Sequence, residues 1–192
     1  MRGALRWLAC VAALAALALL PHADTSAAAR GQAGSLEYEV KAAFLYNFAR
    51  FVQWPPHAFP SADAPLTICV LGSDPFGPAL DDTVRVERVH GRPFAIARPG
   101  GPEAAAGCHI LFVSRGEEPR YADILSRIDR RVILTVGDAT SFLEAGGHVG
   151  FFLEGNHVRF AMNTAALREC DLQVSSKLLR VARPIPLAQG GR

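Results

Sequence analysis

The chain is short of the groupings that do chemistry. Its six histidines include no pair four residues apart and no Cys/His cluster. His57, His90, His109, His148 and His157 therefore predict no metal site. Neither sign of charge dominates, with 20 Lys and Arg against 18 Asp and Glu. That balance gives no electrostatic reason to expect nucleic acid or anionic lipid as a target. Phosphate loops are missing too. Gly72–Gly77 is followed by Pro78-Ala79, where a Walker loop needs Lys-Ser/Thr, and no G-x-G-x-x-G spacing occurs. Ser114 lies in no Gly-x-Ser-x-Gly turn. No nucleophile, base and oxyanion-donor set assembles, so an enzyme, a cofactor and a metal are not predicted. Asp74 and Asp138 read as helix caps, and Asp81-Asp82 as a solvated helix face.

What is present begins with an export signal. Arg2 and Arg6 make a basic start, Trp7–Leu20 an apolar core, and Pro21 breaks it before a small-residue region. Residues 1–29 are read as a signal peptide, with cleavage after Ala29 preferred to cleavage after Ala23. The apolar core is too short for a bilayer of roughly 30 Å. No later stretch approaches about 18 continuous apolar residues, so a soluble periplasmic protein occupying residues 30–192 is predicted.

Three cysteines follow the leader: Cys69, Cys108 and Cys170. An oxidising compartment favours pairing. Cys69 sits in the strand-like run Leu66–Leu71 and Cys108 opens the run Cys108–Val113. Neighbouring strands would bring them together, so Cys69–Cys108 is the preferred disulfide; two separate buried thiols are the alternative. Cys170 is left as a buried thiol.

The predicted first helix, Ser35–Val52, has Ser35 as its cap and a Glu37–Lys41 pair at i,i+4. One apolar stripe runs Leu36, Val40, Ala43/Phe44, Phe48 and Phe51; a second runs Tyr38, Ala42, Leu45, Ala49 and Val52. Two stripes predict burial on more than one side, or a face carrying Tyr38, Leu45 and Tyr46 turned to a second protein. Beyond Trp54-Pro55-Pro56 the pattern alternates. Strands are predicted at Leu66–Leu71, Arg92–Ala97, Cys108–Val113 and Val132–Val136. Helices are predicted at Asp74–Val84, Pro119–Asp129 and Ala139–Ala145. Strands separated by helices predict an α/β domain with a mixed, mostly parallel sheet covered on both faces. Val149–Leu153 and Val158–Met162 flank Glu154-Gly155-Asn156-His157 as an antiparallel hairpin. A helical tail, Thr164–Ala182, follows.

Lys41–Phe48 running to Trp54-Pro55 resembles the opening of the YfiR family. The likeness continues through Ile68–Gly72, Gly91-Arg92-Pro93, Cys108–Val113, Leu134–Asp138, Gly146-Gly147, Arg159–Asn163 and Ser175–Leu179. It covers roughly residues 36–183. The resemblance implies a non-enzymatic periplasmic repressor. Its partner would be the periplasmic sensory domain of an inner-membrane diguanylate cyclase, so that it controls cyclic di-GMP and biofilm formation. An outer-membrane, peptidoglycan-associated lipoprotein would sequester it, and a homodimer is left open. It also implies that Cys69 and Cys108 form a family disulfide; a second family pair is missing here. The predicted contact residues are Tyr38, Leu45 and Tyr46 on the first helix and Phe152, Glu154 and Arg159 on the hairpin's outer face. The alternative is an envelope accessory or small-ligand sensor serving a sensor kinase or outer-membrane receptor.

Overall fold

The computed structural model describes residues 25–184. The predicted leader core, Trp7–Leu20, lies outside the described residues. The chain divides into units Met1–Gly34 and Ser35–Arg192, and the architecture below is that of the second.

Helix α1 spans Thr25–Phe51. It starts ahead of the predicted Ser35, because the alanine-rich approach favours helix. Ser35 is therefore inside the helix and its hydroxyl donates to Glu39 one turn on, at 3.1 Å. The predicted cap at Ser35 is corrected accordingly.

Strands β1 (Val52–Gln53), β2 (Leu66–Leu71), β3 (Arg88–Val89), β4 (Arg92–Ala97), β5 (Ile110–Val113), β6 (Leu134–Gly137), β7 (Val149–Glu154), β8 (His157–Met162) and β9 (Gln173–Val174) follow. Seven of them form one sheet in the order β3-β4-β2-β5-β6-β7-β8. Neighbours from β4 to β7 run parallel; β3 and β8 close the two edges antiparallel. The chain goes from β2 outward to β4, then returns to the other side of β2 for β5. The strand order reverses there, and the carboxyl ends of β2, β5 and β6 share one pole.

Alternation along each strand sorts the core into two layers. Ile68, Val70, Ile110, Phe112, Leu134, Val136, Val149 and Phe151 face one side, where α1, α2 (Pro78–Val84) and α6 (Ser176–Val181) pack through Leu45, Phe48, Leu80 and Leu178. Cys69, Leu71, Leu111 and Val113 face the other, under α3 (Tyr121–Ser126) and α4 (Ser141–Glu144). Each large apolar side chain buried this way contributes about 1.5–3 kcal/mol. Cys69 and Cys108 are bonded in the second layer, with Cα atoms 5.8 Å apart. Cys170 is free and half-buried.

Three predicted elements need revision. Asp74 does not begin α2; its Oδ1 instead accepts from Phe76 N at 2.8 Å, and the helix starts at Pro78 after Gly77 at φ +54°. The predicted helix from Pro119 is a 3-10 turn, Arg115–Arg120, leading into the shorter α3. The tail is not one helix: α5 (Thr164–Arg168) and α6 are separated by β9, which pairs with β1 as Val52↔Val174 and Gln53↔Gln173. Ser175 then caps α6 through Lys177 N, giving the chain a fresh helix start.

Candidate functional site

At the pole where β5 and β6 end, α1 places charge inside the protein. Lys41 is 2% exposed and its ammonium donates to Asp138, which is 1% exposed, and to Glu37 one turn back. The Tyr38 hydroxyl donates to the second Asp138 oxygen at 2.7 Å. Burial first, then the hydrogen bond to Asp138 and its charge, push the Tyr38 pKa well up, so this phenol remains a donor. Arg115 reaches the Asp138 backbone carbonyl at 2.9 and 3.2 Å. Asp138 is thus not the predicted cap. Its carboxylate turns inward to the lysine, and α4 begins only at Ser141, after Thr140. The reason is electrostatic: a buried ammonium needs a buried counter-charge more than a short helix needs a cap.

Open α/β sheets bind ligands in the crevice where strand order reverses. Here the chain fills that neighbourhood itself. Tyr38 stacks edge-on against Phe76 at 5.6 Å. A Cβ at Gly72, which has φ +89°, would stand 2.4 Å from Ser114 Oγ and 2.8 Å from Glu117 Cγ. Ser114 Oγ is buried without a hydrogen-bond partner, and no histidine or carboxylate activates it. Among the described residues no three His, Cys, Asp or Glu side chains converge as a metal site. This cluster locks α1 onto the sheet.

The predicted contact residues fall in different places. Leu45 is fully buried in the first core layer, which removes it from any surface. Tyr46 is half-buried, donating to Glu87 at 2.7 Å and packing on Phe94 at 5.7 Å. Tyr38 and Tyr46 therefore spend their hydroxyls within the protein. The stripe left outward on α1 is Leu36, 62% exposed, with Val40 and Ala43. The two stripes predict either burial on more than one side or a face turned to a second protein. The second stripe packs inward, with Tyr38 half-buried and Ala42, Leu45, Ala49 and Val52 fully buried, while the start of the first stays exposed. Phe44 and Phe48 draw the rest of that stripe inward, against Phe160 at 5.4 and 5.0 Å.

Phe152, Glu154 and Arg159 do come together. The hairpin register Phe152↔Arg159 and Leu153↔Val158 puts Phe151 and Phe160 under α1 and Phe152 and Arg159 on the opposite side. Glu154 accepts from Arg159 Nε at 3.2 Å and from Arg183 at 2.8 Å, and those two hydrogen bonds hold its carboxyl below the ordinary glutamate range. Arg183 is brought in by the tail, whose backbone N–H donates to Phe160 at 2.9 Å. Leu153 stands exposed at the tip. The hairpin patch and the α1 stripe thus lie on opposite faces of the sheet. Sequence reasoning missed the buried Lys41; the only signal was a lysine whose neighbours at Ala42 and Leu45 are apolar.

No helix among the described residues is long and apolar enough to cross a membrane. A family model described as YfiR/HmsC-like matches residues 38–183, from the tyrosine of the buried cluster to the arginine that holds Glu154. Curated proteins include no match to the chain.

Proposed function

We propose a regulatory role, from the premise that the chain belongs to the YfiR/HmsC-like family. The protein acts in the periplasm, after removal of residues 1–29, and represses an inner-membrane diguanylate cyclase by binding its periplasmic sensory domain. Less repression means more cyclic di-GMP and more biofilm. An outer-membrane, peptidoglycan-associated lipoprotein relieves it by sequestration. The observation that carries this reading is the family match across almost the whole second unit.

Physically, a repressor works only through differential affinity. To drive a sensory domain from mostly active to mostly inactive it must bind the inactive state roughly 10⁴-fold more tightly. The surfaces suited to that contact are the hairpin patch of Phe152, Glu154 and Arg159 and the α1 stripe of Leu36 and Val40. The first offers a half-buried aromatic ringed by charge, the second exposed aliphatic area. An accessory of a sensor kinase or receptor would use the same surfaces on another partner.

The test is cyclic di-GMP in a deletion strain that still expresses the partner cyclase. Deletion is expected to raise the nucleotide and the wild-type gene to restore it. Phe152→Asp with Arg159→Glu, or Leu36→Asp with Val40→Asp, is expected to fail at restoration while the protein accumulates folded. Unchanged cyclic di-GMP on deletion overturns repression.

A further inference from the structure

At the pole opposite the Lys41 cluster, where β2 and β4 begin, lies a cleft of about 330 Å³. Its walls are apolar: Trp54, Phe59, Leu66 and Val89. Gln53, His90 and Arg92 supply the polar rim, and no lining residue is acidic. The volume is near the lower limit of small-molecule pockets, about 300 Å³, which suits one ring or one branched chain.

Arg92 gives the cleft its charge. The guanidinium lies 3.7 Å over the Phe59 ring, and Nη1 donates to the carbonyls of Ser61 at 3.0 Å and Ala64 at 2.7 Å. Among the described residues no carboxylate is ion-paired with it; Arg50, Arg88, Arg115, Arg130, Arg168 and Arg180 share that lack, and what sets Arg92 apart is that it lines an apolar cleft. A half-buried cation bonded only to neutral carbonyls is under-compensated. It is also held in place, so a ligand would meet a charge whose ordering cost is already met. Behind Phe59 the His109 ring stacks at 4.3 Å, and its Nδ1 accepts from Thr67 N at 3.0 Å. His109 Nε2 is buried with no hydrogen-bond partner. Burial, helped by the Arg92 charge, holds this imidazole neutral with a pKa of about 4.

We propose that this cleft binds a small monoanion with a compact apolar body, an aryl- or branched-alkyl carboxylate, its carboxylate on Arg92 and its body between Trp54, Phe59 and Val89. The site is separate from the surfaces assigned to the partner, and the inference does not depend on the repressor reading.

Calorimetric titration of the purified, disulfide-intact protein with phenylacetate and with phenylacetamide tests it. The two ligands share a shape and differ in charge. The acid is expected to bind roughly ten- to a hundredfold more tightly than the amide, the usual margin for a charge-assisted hydrogen bond. Arg92→Gln is expected to erase that preference and Arg92→Lys to keep part of it. The Trp54 indole N–H resonance, whose donor is bonded to His109 O at 3.2 Å, is expected to shift with the acid. Equal binding of acid and amide, a preference that survives Arg92→Gln, or no binding of phenylacetate at millimolar concentration overturns the proposal. Should Arg92→Gln fail to fold, the acid–amide comparison and the indole shift on the wild type decide it. None of these readouts involves a cyclase.

Discussion

Lys41→Met removes the ammonium that compensates Asp138 while keeping most of the side-chain volume. Asp138 is 1% exposed, and its carboxylate is then left with the Tyr38 hydroxyl as its one remaining side-chain donor. Breaking a buried pair from one side costs about 3–5 kcal/mol, most of it the penalty of an uncompensated charge. At about 2–4 °C per kcal/mol for a domain of this size, the melting temperature should fall by roughly 6–20 °C. Asp138→Asn leaves Lys41 with Glu37, one quarter exposed, as its remaining counter-charge, so it should cost less. Lys41→Met with Asp138→Asn removes both charges, and its cost should undercut the sum of the singles by at least about 1 kcal/mol. Urea unfolding of oxidised protein, read by circular dichroism, supplies all three values. A single Lys41→Met cost under about 1 kcal/mol, or strict additivity, refutes the account of a buried lock on α1.

Two further outcomes concern acid and redox. His148 is 1% exposed and trades hydrogen bonds with Thr135, whose backbone N–H donates to its Nδ1 at 3.2 Å. Burial, with the Arg130 charge, lowers its pKa from 6.5 to about 4. The unfolded chain therefore binds the extra proton first. The contribution is fully present above about pH 6.5 and is lost as pH falls toward 4, by a few kcal/mol at most; pH-dependent unfolding of His148→Gln should show a shallower decline across that window. Cys69→Ser opens a bridge of sequence separation 39 and should cost about 4 kcal/mol on the chain-entropy model; an unchanged urea midpoint between oxidised and reduced wild type would contradict it.

Strands β2, β5 and β6 were legible as short buried apolar runs, and β2 and the half-buried β4 match their predicted bounds. The hairpin was legible from alternation, and its register pairs Leu153 with Val158. Helix starts were less so. Asp74 and Asp138 look alike in sequence, each before a helical stretch, yet one bonds a turn and the other a buried lysine. That difference comes from α1, about a hundred residues from Asp138, and no local pattern carries it. The same holds for Leu45 and Leu36. Both sit on apolar stripes, and only the placement of the sheet decides that the first is buried and the second exposed. Strand β9 was hidden because two residues are too few to show a period. Of the predicted contact residues, those of the hairpin share a face, while Leu45 is buried and Tyr38 and Tyr46 bond within the protein.

The pairing of Val52 with Val174 and of Gln53 with Gln173 has a kinetic consequence. A polypeptide made amino end first presents α1 long before its partners exist, since Phe44 and Phe48 rest on Phe151 and Phe160 and the short ribbon closes only when β9 emerges. The first helix must wait for a segment more than a hundred residues further on, so this domain cannot close before β9 is made. Until then the apolar side of α1 stays uncovered, which makes that interval the stage at which a holdase would matter most.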